Sequence, residues 1–256
     1  MNVLCDLDGV IYRGRQVLPG VPEALHRLRS ESIGVVYITN NSTRSPRGGA
    51  EKISSLTGVP VTEDQVLTSA RAAAAMLRPG DAPVLLVGEE GVREAVEYAG
   101  LEAGTDPKRA GSVVVGLTRE LDYRLIHDAM TAVRGGARFV ATNVDATFPT
   151  ENGLAPGSGA IVAAIAAASG RQPEVAGKPH PPMVRLIESR VTGPVWVIGD
   201  RVDTDIALAT GRPGWGSILV LTGVTGPEEA ARSGADHIAP DFAAAVDLVL
   251  AHGEPS

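Results

Sequence analysis

Short runs of apolar, largely β-branched residues recur along the chain, and the stretches between them carry apolar residues at helical spacing. The runs are Val3 to Leu7, Ile33 to Thr39, Val84 to Val87, Val113 to Leu117, Phe139 to Thr142, Val195 to Ile198 and Ile218 to Leu221. Runs this short and this continuously apolar read as strands buried on both faces. Between them, sets such as Ala24, Leu25 and Leu28, or Ala207, Leu208 and Gly211, have the spacing of a helix face. Strand and helix in alternation predict an α/β fold, a Rossmann-like parallel-sheet core wrapped by helices. With 44% hydrophobic residues in 256, the chain has enough apolar side chains to fill such a core.

Two turn-rich places interrupt the alternation: Arg78-Pro79-Gly80-Asp81-Ala82-Pro83, and Gly170-Arg171-Gln172-Pro173. The segment between them predicts a second α/β unit inserted into the first. The outer core domain is then discontinuous, residues 1–80 and 174–256, and residues 81–173 form the inserted cap domain. The alanine-rich Ala160 to Ala168 reads as a tightly packed helix started by Pro156-Gly157-Ser158.

Composition removes several classes of function. A formal net charge of −7 with scattered Lys and Arg argues against a nucleic-acid partner, which needs a basic face. The single cysteine, Cys5, makes no internal disulfide and no Cys-rich metal site. The first residues, Met-Asn-Val-Leu-Cys-Asp, lack the basic leader and apolar core of a signal peptide, and Ala160 to Ala168 is about half the length of a membrane-spanning helix. The expectation is a cytoplasmic protein with no membrane partner.

The chemistry is carried by the residues that follow the strands. Cys5-Asp6-Leu7-Asp8-Gly9 ends the first run. Side chains alternate along a strand, so Asp6 and Asp8 point to one side and Leu7 to the other, provided the strand geometry persists. Two carboxylates about 5 Å apart repel by roughly 3 kcal/mol at an effective dielectric near 20, so the pair calls for a cation or a shared proton. The plain alternative is a solvated acidic turn. Thr39-Asn40-Asn41-Ser42-Thr43 follows the second run and offers hydroxyl and amide groups suited to cradling an oxyanion; alternatively, Ser42 to Ser45 only cap a helix beginning near Pro46. Lys178 precedes Pro179, which suits the first turn of a helix through Met183, Leu186 and Ile187. A lysine there either neutralises a phosphate or lies on the surface.

The run Val195 to Ile198 leads into Gly199-Asp200-Arg201-Val202-Asp203-Thr204-Asp205 and then a helix through Ile206, Ala207 and Leu208. Capping and the helix dipole account for one or two of these carboxylates but not three. Asp203 is assigned the structural role and Asp200, at the strand tip, the metal. Asp6, Asp8 and Asp200, with Asp205 nearby and one lysine, are unstable together without a divalent ion, and their hard oxygen donors point to Mg²⁺.

In the order and strand placement of these four motifs, the chain resembles the haloacid dehalogenase-like superfamily. The inserted segment, with Thr142-Asn143-Val144-Asp145-Ala146-Thr147-Phe148-Pro149 and Gly153-Leu154-Ala155-Pro156-Gly157, resembles subclass IIA, which includes p-nitrophenylphosphatase-like, phosphoglycolate phosphatase-like and NagD-like enzymes. The resemblance implies that Asp6 attacks phosphorus and that Asp8 protonates the leaving alcohol, then activates the water that hydrolyses the aspartyl-phosphate. It implies Mg²⁺ held by Asp6 and Asp200 side chains, by the Asp8 main-chain carbonyl, and by Asp205 directly or through water. Thr39, Asn40 and Lys178 would hold the phosphoryl group. Asn41 and the cap loop, through Asn143, Asp145 and Phe148, would read the rest of a small-molecule phosphate ester, although Asn143 to Phe148 also read as an ordinary turn after a strand.

The implied activity is hydrolysis of a small phosphate monoester: glycerol phosphate, phosphoglycolate, a sugar phosphate or a nucleotide. A phosphomutase on the same fold and a non-catalytic phosphometabolite sensor are the rival readings. Cys5 is expected to be a small buried hydrophobe opposite Asp6, His180 a loop histidine, and the cap a surface on which a homodimer could form.

Overall fold

The computed structural model describes residues 1–150 and 153–255. The strands of its first part are β1 (Asn2–Cys5), a small hairpin of β2 (Tyr12–Arg13) and β3 (Gln16–Val17), β4 (Gly34–Thr39) and β5 (Val66–Thr68). The middle part contributes β6 (Val84–Val87), β7 (Ala103–Gly104), β8 (Ser112–Val115), β9 (Arg138–Ala141), a hairpin of β10 (Thr147–Thr150) and β11 (Gly153–Pro156), and β12 (Glu174–Val175). The last part adds β13 (Val195–Gly199), β14 (Trp215–Val220) and β15 (His237–Ala239).

Two parallel sheets result. The first has the order β15-β14-β13-β1-β4-β5, the second the order β12-β9-β8-β6-β7. Alternation along the strands divides their side chains between layers. Val3 and Cys5 of β1, Trp196 and Ile198 of β13, and Ile218 of β14 pack with the helices Val21–Ser30 and Phe242–His252 on one face of the first sheet. Leu4, Ile38, Val195 and Val197 face the other way, toward Met183 and Ile187 of the helix Pro181–Glu188.

The second sheet divides likewise. Val87, Val113, Val115 and Phe139 pack under the helices Tyr123–Arg134 and Ser158–Ser169, whereas Val84, Val114 and Val140 join the apolar cluster of Leu4, Ile38 and Met183. One dry cluster is therefore shared by both sheets. Arg138 reinforces this seam where the chain passes between them, donating to the Met76 carbonyl at 2.9 Å, to Asp81 at 2.7 Å and to Glu174 at 2.8 and 3.0 Å.

Each apolar run of the sequence contains a strand, with ends displaced by a few residues. The first ends at Cys5, so Asp6 and Asp8 lie just beyond it. The second sheet takes in Glu174–Val175, two residues past the 173 expected from the Gly170 to Pro173 turn, because that turn returns the chain from a helix to one more strand beside β9. Pro179 does not open a helix; the Lys178–Pro179 peptide is cis, and Pro181 and Pro182 fill the first helical positions instead. After Asp200 the chain makes a wide π-type turn over Val202–Ile206, in which the Ile206 N–H reaches the Arg201 carbonyl, before the short helix Ala207–Ala209. Among the described residues no helix is long and apolar enough to cross a membrane.

Candidate active site

All the chemistry-bearing segments meet at the C-terminal ends of the strands, the ordinary place for a ligand in a parallel α/β sheet. One cavity of ≈ 60 Å³ is lined by Asp6, Asp8, Thr39, Asn40, Asn41, Asn143, Asp145, Phe148, Lys178, Asp200 and Asp205. Every residue singled out in the sequence as a catalytic, phosphate, substrate or metal candidate is on that wall. Residues as far apart in sequence as Asp6 and Asp205 come together because β1, β4 and β13 are adjacent and parallel.

Lys178 is the centre of the charge arrangement. Its side chain is 2% exposed, and its ammonium donates to Asp6 Oδ1 at 2.5 Å, to Asp205 Oδ1 at 2.7 Å and to the Ile38 carbonyl at 3.3 Å. Burial alone would lower the lysine's pKa, but Asp205 and Asp6 more than offset it, so the ammonium titrates above its ordinary range. The lysine, far from being a surface cation, neutralises part of a buried acidic cluster.

Oxygens of Asp6, Asp200 and Asp205 lie within 4.8 Å of one another, and all three residues are buried. Burial pushes the Asp6 carboxyl well up despite Lys178, and burial together with Asp205 pushes Asp200 up to about 7. Three carboxylates with one ammonium leave an excess of negative charge, and the donors are all hard oxygens. That set fits a divalent cation of the Mg²⁺ or Ca²⁺ type. Asp200 is aimed by the Val224 N–H at 2.7 Å, and Gly223 keeps the approach open, since a Cβ there would collide with the Asp200 carboxylate. Gly199 does the same for Asp205, whose Oδ2 accepts from the Arg201 N–H at 3.1 Å.

Asp8 stands apart from that trio. Its Oδ2 accepts from Asn41 Nδ2 at 3.3 Å, and burial raises its pKa against the pull of Lys52 and the Asn41 hydrogen bond. A carboxyl held in this way retains a proton more readily than an exposed one.

Asn40, Asn143 and Asp145 form a polar joint between the sheets. The Asn40 amide donates to both Asp145 oxygens, at 3.2 and 3.3 Å, and to the Lys178 carbonyl at 3.2 Å, while its Oδ1 accepts from the Lys178 N–H at 2.8 Å. Asn143 donates to the Asn40 carbonyl at 2.6 Å and to Ser158 Oγ at 3.2 Å, and accepts from the Asp145 N–H at 3.1 Å. Asn143 thus lines the cavity with its amide already committed to holding the loop.

Cys5 is fully buried in the core, and burial raises its thiol's pKa, which leaves it an inert packing residue. His180 immediately precedes the helix Pro181–Glu188 and is not among the residues on the cavity wall. Asp203 pairs with Arg201 at 2.7 Å and is exposed. Arg201 itself lines the cavity and reaches the Thr147 carbonyl of β10 at 3.4 Å. Sequence reasoning passed over it; the signal was an arginine placed between two acids at a strand tip.

The family described as haloacid dehalogenase-like hydrolase matches residues 3–102, and the one described as HAD-hydrolase-like matches residues 175–245. The chain is 37% identical over 228 residues to the 5'-nucleotidase YutF of Bacillus subtilis, with 87% of each chain covered. It is 35% identical over 267 residues to phosphoglycolate phosphatase 2 of Arabidopsis thaliana, covering 93% of this chain and 88% of that protein. The crystal structure of glycerol phosphate phosphatase Rv1692 from Mycobacterium tuberculosis in complex with magnesium superposes with a TM-score of 0.85 at 37% identity, over 94% of this chain and 74% of that one. The strand-tip carboxylates, the buried lysine and these matches over most of the sequence agree: the chain belongs to the haloacid dehalogenase-like hydrolases.

Proposed function

We propose that this chain is a Mg²⁺-dependent phosphatase that hydrolyses a small phosphate monoester through an aspartyl-phosphate on Asp6. The observation that carries the reading is the trio of buried carboxylates, Asp6, Asp200 and Asp205, within 4.8 Å of one another with Lys178 bonded to two of them. Burying that much like charge is costly, and a bound divalent cation offsets it.

Asp6 and Asp200 would hold the cation by their side chains, Asp8 by its main-chain carbonyl, and Asp205 directly or through water. When bound, the cation neutralises the phosphoryl oxygens and keeps the Asp6 carboxylate from repelling them. Lys178 fixes the Asp6 side chain by gripping Oδ1 and lends positive charge to the phosphoryl group, which Thr39 and Asn40 cradle. An Asp6 oxygen forms the new bond to phosphorus as the ester P–O bond breaks, and the departing alkoxide takes the proton of Asp8. The Asp8 carboxylate then removes a proton from water as that water attacks phosphorus. The acyl P–O bond breaks, phosphate leaves, and Asp6 is restored.

The inserted segment acts as the cap. Asp145 and Phe148 contribute to the cavity from the cap side, and Asp145 is raised by burial although Arg201 opposes the shift. Exchanging Asp145 for asparagine, or Phe148 for leucine, is expected to reorder kcat/KM among phosphate esters while the melting temperature stays within a few degrees. An unaltered substrate profile would return that loop to a purely structural role.

The direct test is free-phosphate release from glycerol phosphate, phosphoglycolate, a sugar phosphate and a nucleoside monophosphate, with Mg²⁺ and with EDTA. Release is expected in Mg²⁺, to fall below detection in EDTA and to return when Mg²⁺ is restored. Full activity in chelator rules out the metal; no release from any ester rules out the phosphatase.

A further inference from the structure

The reaction cavity is too small for more than a compact group such as phosphoryl, and it shares Asp8, Asn41, Phe148 and Pro149 as a common wall with a second basin of ≈ 740 Å³. If the phosphatase reading holds, the ester oxygen lies beside Asp8, so the rest of the leaving alcohol must extend into this basin. Its chemistry is unlike that of the cavity. Arg15, Arg44, Lys52 and Arg119 line it, against Glu89 and Asp8 itself among the described residues.

Glu89 is already matched by Arg119 at 2.8 Å. Lys52 is half-buried, with its ammonium 3.4 Å above the centre of the Tyr12 ring. Among the described residues neither Lys52 nor Arg44 forms an ion pair, although the charge of each is felt at Asp8. Burial pulls the Lys52 ammonium down, so the fold holds a cation where desolvation works against it. A neutral polyol would leave that cation poorly matched; an anion would complete it.

We propose that the alcohol released by this enzyme carries a second anionic group, a carboxylate or a further phosphoryl, bound in the basin by Lys52 with Arg44 and Arg119. The inference rests on the phosphatase reading and narrows its substrate class. Lys52 is then a specificity-determining residue for the leaving group, and the basin is the route by which the substrate enters.

The test compares kcat/KM for matched esters in Mg²⁺: phosphoglycolate and ethylene glycol bisphosphate against ethyl phosphate and glycerol phosphate, with p-nitrophenyl phosphate reporting turnover as such. The expected preference for the charged esters is about ten- to a hundredfold, the size of one charge-assisted hydrogen bond, and it shrinks as salt is raised. Whichever charged ester leads identifies the second group as carboxylate or phosphoryl. Lys52→Met and, at an exposed side chain, Arg119→Gln should each reduce the ratio of charged to neutral kcat/KM. Turnover of p-nitrophenyl phosphate with neutral esters equal or preferred overturns the inference and leaves the phosphatase standing. Failure to turn over any ester removes the phosphatase reading itself.

Discussion

Replacing Asp6 by asparagine is expected to lower phosphate release by roughly four or more orders of magnitude, because an amide cannot form the acyl-phosphate and the alternative is direct attack by water. The same substitution is expected to make the metal-free protein more stable. The Asp6 carboxyl titrates well above its ordinary range, driven first by burial and only partly restrained by Lys178. The unfolded chain ionises this group freely above the ordinary carboxylate range, whereas burial in the folded chain works against its ionisation, so stability is lost as pH rises and the group costs the fold stability near neutral pH. Removing it should raise Tm in EDTA by a few degrees, roughly 2–4 °C per kcal/mol for a chain of this size. An Asp6→Asn protein that retains substantial activity removes the covalent mechanism; one that melts markedly lower in EDTA removes the electrostatic account of the cluster.

Lys178→Met should move both quantities downward. Its ammonium holds Asp6 and Asp205 at hydrogen-bond distance inside the fold. Without it, Asp6, Asp200 and Asp205 face one another with no balancing cation, and removing one partner of a buried ion pair costs about 3–5 kcal/mol. In EDTA that corresponds to a fall in Tm of about 10 °C. Phosphate release should drop by at least about a hundredfold, the usual loss for one group that stabilises the developing charge. Adding Mg²⁺ should restore part of the lost stability, since a cation bound to the same carboxylates relieves the same repulsion. Arginine should not restore activity, because its planar fork does not fit a pocket shaped around a compact ammonium. Calorimetry with and without Mg²⁺ checks the first effect, and a Tm unchanged by Lys178→Met contradicts it.

Much of this arrangement is legible in the sequence because the candidate segments, apart from the one that carries Lys178, follow continuously apolar runs, and parallel strands deliver their C-terminal ends to one edge of their sheet. Asp6, Thr39 and Asp200 come just after β1, at the end of β4 and after β13 of one sheet, so their meeting follows from topology, whereas Asn143 follows β9 of the other sheet and is joined to them through the Asn40 carbonyl. What escaped was set by few residues or by distant partners. The edge strands Val66–Thr68 and His237–Ala239 are too short to show a period and exist because β4 and β14 offer them a neighbour. Pro179 looked like a helix start, but the competing Pro181-Pro182 pair takes that position. The commitment of Asn40 and Asn143 to each other depends on residues more than a hundred positions apart in sequence, and no local pattern signals it. Arg201 stands between two acids at a strand tip, a local signal, but its reach to the Thr147 carbonyl is a long-range contact that the sequence does not show.

The central claim is that phosphorus passes through Asp6. Mixing the protein with excess phosphoglycolate and Mg²⁺, quenching in acid within the first turnovers and sequencing the peptides by mass spectrometry tests it directly. A phosphoryl adduct on Asp6, absent from the Asp6→Asn protein, is the predicted result. Turnover that proceeds with the adduct on another residue, or with none on Asp6 at any quench time, contradicts it.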